Sequence, residues 1–442
     1  MSSTWFVYGT NPVIMSKFKA YLDRQQPLLV TEQLSASGNK SSLFVTIPCF
    51  DEPDLIRSLE SLAVCSPPFC NVTVIVVVNS SDQTAPQLLL NNLKTIQSVL
   101  AWLDSGVRPF YQLRLLHAPE LPSKWAGVGW ARKIAMDEAI RCLDQSGLEE
   151  GILVGFDADC LVSGNYFTSI ETAFRENPGY NFVTLNFSHP IDDPTLTNSL
   201  REGIIQYELY LRYLRNAMQW CGYPHSIHTV GSSFAVKASS YVKQGGMNRR
   251  QAGEDFHFLH KMVLLGEYGV VKDATVYPAA RISHRVPFGT GAALKKWEQG
   301  DPELYSAYAL KSFGALRPFF RNPGLLFDAD RTTWKELIEQ LDPVLQNHLE
   351  LTETLNRLDE LKKNCADMKM FTRRFYHLVN AFWIIQYLNL CESRDEGKGI
   401  LVEEASKLLT KLELATSGDL NARDLLEIYR QLDITYSASS SS

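Results

Sequence analysis

The chain has 442 residues, 45% of them hydrophobic and 21% charged, with a formal net charge of −6. That length supplies core for two or three domains, and the acidic balance argues against a general nucleic-acid binder. No apolar run reaches the roughly 18 residues of a membrane-crossing helix; the longest are 72–78 and 382–388.

Residues 1–40 read as an amphipathic lead-in that ends in the polar turn SASGNK, with no basic start and long apolar segment of the secretory kind. Residues 43–48 form an apolar, β-branched strand, closed by Pro48 and followed by a helix over about 53–64. A second buried strand, 72–78, runs into the turn NSSDQT and a helix over about 86–103. A third strand, 111–116, leads through HAPELPSKW to a helix over about 127–142. The central strand 152–156 comes next and ends in Asp157-Ala158-Asp159. Strands alternating with helices of this length predict βαβ units and a mostly parallel sheet. Further on, the pattern gives a strand at 182–187, a long helix over about 196–219, a strand over 227–237, a helix from Gly253 to about 265 and a strand over 275–283. The loop HRVPFGTG (284–291) follows, and from about 294 the periodicity predicts only helices: 334–341, 345–361, 371–390, 399–412 and 421–432. The division expected is 1–40 lead-in, 41–300 α/β domain, 301–436 helical region and 437–442 a serine-rich disordered tail.

The eight cysteines include no Cys-x-x-Cys pair, which suits reduced thiols in a cytoplasmic protein better than disulfides or a zinc site.

In parallel sheets ligands collect outside the carboxyl ends of the strands, where three polar turns fall here: Pro48-Cys49-Phe50-Asp51-Glu52, Asn79-Ser80-Ser81-Asp82 and Asp157-Ala158-Asp159. Alternation places Asp157 and Asp159 on one side of an extended chain. Two carboxylates at the end of a buried strand repel each other and need a counter-charge, and hard oxygen ligands suit Mg²⁺ or Mn²⁺. A bare Asp-x-Asp is equally a solvated turn, and Glu254-Asp255 at a helix start is equally ordinary charge complementarity to the helix dipole. His257 and His260 read as structural, since one Glu-x-x-His pair alone is a weak metal signal.

Taken in order, these pieces resemble the inverting family 2 glycosyltransferases, with the nucleotide-diphospho-sugar transferase (GT-A) fold, over roughly residues 41–300. The resemblance is carried by IPCFDEPDLIRSLESL after the first strand, VIVVVNSSDQT at the second, and the helix GVGWARKIAMDEA. Asp157-Ala158-Asp159, Gly231-Ser232 and Glu254-Asp255 complete it, and the interval from Asp159 to Asp255 suits the family. Two features depart from the pattern: Val78 and Asn79 stand where an aspartate usually reads the base, and the Gln-x-x-Arg-Trp motif of processive synthases is absent.

The resemblance implies a single-sugar transferase using a UDP- or GDP-linked donor, a divalent cation (Mn²⁺ or Mg²⁺) and a glycan or lipid-linked acceptor. It makes Asp159 a direct metal ligand, Asp157 a ligand of the metal or of the ribose, and His284 a third ligand. Asp255 becomes the general base, with Glu254 supporting it or binding the acceptor. Donor contacts fall to Pro48, Phe50, Glu52, Asn79, Arg132 and Asp157, with Arg285 in a closing loop. A sugar nucleotidyltransferase, which would want a glycine-rich phosphate loop that PCFDEPD lacks, and a non-catalytic glycan- or partner-binding module are the alternatives. The helical third is open to docking on the inner membrane face, on a partner or on a second copy of the chain.

Overall fold

The computed structural model describes residues 16–25, 30–34, 40–248, 253–283, 288–301, 305–321, 323–393, 397–414 and 419–435. His284, Arg285, most of the lead-in's first half and the tail 437–442 lie outside the described residues.

Among the described residues, nine strands form one mixed sheet: β1 (Thr31–Leu34), β2 (Leu43–Cys49), β3 (Val72–Ser81), β4 (Gln112–Leu121), β5 (Ile152–Gly155), β6 (Leu161–Val162), β7 (Phe182–Phe187), β8 (Phe234–Lys237) and β9 (Tyr268–Tyr277). Their order is β1-β4-β3-β2-β5-β8-β7-β9-β6. The run β4-β3-β2-β5 is parallel, as the βαβ pattern requires, and so is the pair β7-β9. Strand β8 enters antiparallel between β5 and β7, and β1 and β6 close the edges antiparallel.

Apolar residues cover both faces of the centre, which is why β2 and β3 read as continuous runs and not as alternation. Leu43, Val45 and Ile47 point into a core with helices Leu55–Ala63, Pro86–Asp104 and Tyr166–Glu176. Phe44, Ile75 and Val77 point the other way, into a core with helices Val128–Ser146 and Glu254–Val263. A third core belongs to the helical end of the chain, and helix Asn198–Trp220 runs through it.

Four expectations are corrected. The strand expected over 227–237 shrinks to β8, because its first part leaves the sheet and lines a cavity. The strand expected over 275–283 is displaced to β9, which stops just before Pro278, a residue unable to donate to the ladder. The last third is not purely helical: β10 (Ser306–Tyr308) pairs antiparallel with β11 (Lys398–Ile400). The long helices expected there are broken, one at Glu353 in the left-handed region (φ 49°), the other before Asn380, whose side chain caps a new helix at Trp383 N. Helix Tyr166–Glu176 carried no strong sequence signal and was not expected.

The C-terminal helix Ala422–Thr435 is tied to helix Asn198–Trp220 by buried charges. Arg430 grips Glu208 through two bonds of 2.8 and 2.9 Å, and Arg212 Nε adds a third at 2.9 Å. Asp433 accepts from Arg215 Nη1 at 3.3 Å and pairs with His228 Nε2 at 2.8 Å. Burial pushes the Asp433 carboxyl up, but His228, Arg212 and Arg215 outweigh it and hold the group well below the usual carboxylate range. Asp433→Ala leaves those guanidinium groups buried without their counter-charge, and should cost about 3–5 kcal/mol in urea unfolding at pH 7. A depressed carboxyl stabilises the fold above its unfolded-state pKa, so the gap to wild type should narrow as pH falls below about 4.

Candidate active site

The carboxyl ends of β2, β3 and β5 open into one cavity of about 850 Å³. Its lining includes Pro48, Phe50, Glu52, Asn79, Arg132, Asp157, Asp159, Glu254 and Asp255, which is every site residue expected from the sequence except the undescribed His284 and Arg285.

Local structure fixes each of them. After β5 the chain turns sharply, with Cys160 N donating to Asp157 O (3.2 Å) and Ser58 Oγ to Ala158 O (2.9 Å). Asn79 is the last residue of β3 before its register with β4 shifts; its carbonyl accepts from Asn92 Nδ2 (3.0 Å), and Asn92 Oδ1 accepts from Asp51 N (2.9 Å), so one asparagine joins two of the three turns. Helix Glu254–Val263 begins behind Gly253, whose φ of 69° suits a residue without a Cβ.

The two aspartates do not share one partner. Arg132 Nη2 donates to Asp157 Oδ1 at 2.7 Å, while Arg281 Nη2 donates to Asp159 Oδ2 at 3.0 Å. Arg281 also pairs with Glu52, which is 2% exposed and accepts from Asp54 N at 3.0 Å. Burial pulls the Arg281 guanidinium down, yet Asp159 and Glu52 more than compensate and raise it. Arg281 is not among the site residues expected from the sequence; the signal that could have found it is an arginine just after the strand-ending Pro278.

Arg132 is the pivot. It is 1% exposed, and its Nε also donates to Glu254 Oε1 at 3.3 Å. Burial disfavours its charge, but Asp157, Glu254 and Asp255 overcome this and raise its pKa. Its Nη1 is buried with no hydrogen-bond partner among the described residues. Gly231 makes the close packing possible: a Cβ there would lie 3.0 Å from both Arg132 Nη2 and Asp255 Oδ2.

Glu254 is 3% exposed, and burial, then the neighbouring Asp255, pushes its carboxyl up to about 7 against the pull of Arg132. Asp255 is likewise raised by burial, although its Oδ1 accepts from Phe256 N at 2.7 Å. Burial therefore holds both adjacent carboxyls above the usual carboxylate range.

Among the described residues, no group of three His, Cys, Asp or Glu side chains is arranged to hold a metal ion. Asp157 and Asp159 keep 37% and 23% of their side chains exposed. Their oxygen chemistry suits a hard divalent cation, which at Asp159 has to compete with Arg281. Tyr207 and Leu214 of helix Asn198–Trp220 also line the cavity, as do residues missed by sequence reasoning: His189 and Met218 from the middle of the chain, and Ala381 and Ile385 from its helical end.

No known protein family matches the chain, and no curated protein does. Among solved structures, S. aureus TarS 1–349 in complex with UDP-GlcNAc matches at 12% identity and a TM-score of 0.39, over 77% of this chain and 91% of that one. The mannosyltransferase PcManGT from Pyrobaculum calidifontis, in complex with GDP-Man and Mn²⁺, matches at 15% identity and a TM-score of 0.37, over 94% of this chain and 90% of that one. At this similarity, function has to be argued from the chain's own residues.

A carboxyl raised by folding stabilises the protein most below its ordinary pKa and loses that contribution as pH climbs through the folded value. Between pH 5 and pH 8, wild type should therefore lose stability at up to roughly 1 kcal/mol per pH unit from this source. Glu254→Gln, which cannot ionise, should show a shallower slope in urea-unfolding midpoints across the same range.

Proposed function

We propose that the chain is a nucleotide-sugar-dependent glycosyltransferase, of hexosyltransferase type. It would move one sugar from a UDP- or GDP-linked donor to a hydroxyl of a glycan or lipid-linked acceptor, with inversion and metal assistance. The observation that carries the reading is the meeting, in one cavity at the strand ends, of Asp157 and Asp159 with Asp255, a carboxyl whose pKa burial raises.

In this reading the nucleoside lies against Pro48, Phe50 and Asn79, and Arg132 and Arg281 place positive charge beside the diphosphate. Asp159 and Asp157, with His284 as a third ligand, would hold Mn²⁺ or Mg²⁺, which supplies charge to the leaving group when bound. Asp255 takes the proton from the acceptor hydroxyl as its oxygen attacks the anomeric carbon from the face opposite the diphosphate. The C–O bond to the phosphate breaks, and the nucleoside diphosphate leaves with the bonding electrons. Glu254, against Asp255 and Arg132, supports the base by setting its charge. Arg285 lies in the segment proposed to close over the donor and exclude water.

All eight cysteines are free, which suits a reducing, cytoplasmic setting. No described helix is long and apolar enough to cross a membrane; the proposed contact with a lipid-linked acceptor is a peripheral one.

Isothermal titration with UDP and GDP, with and without Mn²⁺, tests the donor side: saturable binding that strengthens with metal is expected, and no binding of either nucleotide refutes the reading. Asp255→Asn should bind nucleotide as wild type does while transfer falls by about 10²–10⁴-fold; transfer at the wild-type rate removes Asp255 from the base role.

A further inference from the structure

The cavity has two halves of different chemistry. The half at the strand ends holds the arginines and carboxylates described above. The other half begins beside Asp255 and runs toward the helical end of the chain. Its walls are Leu211, Leu214 and Met218 from helix Asn198–Trp220, Ile227, Phe256, and Ile385 from helix Ala381–Glu392.

The polar groups there are mostly imidazoles. Burial pulls His225 down to about 4 and His260 down to about 3. The His260 ring packs on Phe256 at 4.4 Å between centroids, and its Nδ1 has no hydrogen-bond partner among the described residues. Arg215 reaches this half, but it is committed to Ser226 O and Asp433 Oδ1, both at 3.3 Å. An anionic group placed here would lose its hydration and find no uncommitted positive charge among these groups. An apolar group would be stabilised by leaving water here.

We propose, resting on the glycosyl-transfer reading, that this half is the acceptor subsite and that it selects acceptors carrying a neutral, apolar alkyl or aryl group next to the reacting hydroxyl. The C-terminal helices build its outer wall through Ala381 and Ile385. Phe256, directly after Asp255, sets the apolar group beside the base, and the unpartnered His260 nitrogen is available to a neutral hydroxyl of the same acceptor.

The test uses the full chain under saturating UDP or GDP and two fluorescent probes, 1-naphthol and 1-naphthyl phosphate. Saturable binding of 1-naphthol is expected, with the phosphate at least tenfold weaker. Ile385→Asp should weaken 1-naphthol at least tenfold while nucleotide affinity is unchanged, nucleotide binding also reporting that the variant is folded. If Ile385→Asp does not fold, Ile385→Thr, close in shape, takes its place with a smaller loss in the same direction. Equal or tighter binding of the phosphate, no saturable binding of 1-naphthol, or full 1-naphthol affinity in the folded Ile385 variant overturns the proposal. Failure of wild type to bind either nucleotide sinks the donor reading instead, and is seen separately from the naphthol result.

Discussion

A single buried guanidinium holds this site together. Arg132 sits one turn into its helix, at 1% exposure, among Asp157, Glu254 and Asp255. Three carboxylates could not stay close inside a protein without such a charge, since each would shed its proton only at the expense of the others. The arginine does not neutralise them all. It donates to Asp157 at 2.7 Å and to Glu254 at 3.3 Å, and still leaves Glu254 and Asp255 above their ordinary range. The same charge that makes the cluster foldable thus leaves Glu254 and Asp255 as carboxyls raised by burial at the rim of the cavity.

The parts of this arrangement that were legible in the sequence are those set by strand ends. Buried β-branched runs declared β2, β3 and β5, and the polar turns behind them fell where parallel sheets gather ligands, so Pro48, Asn79, Asp157 and Asp159 could be placed without coordinates. Asp255 and Glu254 were found through resemblance in spacing and through the glycine before them. The pairing pattern was less visible. Alternation put both aspartates on one side, but the choice of Arg132 for one and Arg281 for the other depends on tertiary packing that no local pattern encodes. The displacement of the last long strand to β9 has a similar origin: sheet pairing with β7, not local propensity, decides where it starts and stops.

The helical third was legible as helices and opaque as a partner of the site. Its periodic leucines announced buried faces, but a periodic face does not say what it is buried against. In the structure that face shares a core with helix Asn198–Trp220, the same helix that lends Tyr207, Leu214 and Met218 to the cavity. The ion pairs at Glu208 and Asp433 fix the register of this packing, because a buried charge tolerates few alternative neighbours. What reads along the chain as an appendage is in space the far wall of the cavity.

That wall has a consequence for how the protein comes to life. The cavity joins Pro48 to Ile385, so its two sides are separated by most of the translated message. A polypeptide still emerging from the ribosome can complete the sheet and its carboxylate cluster while the opposite side has yet to be made. Until the final helices dock, such a chain owns the acidic rim but not the apolar wall that faces it.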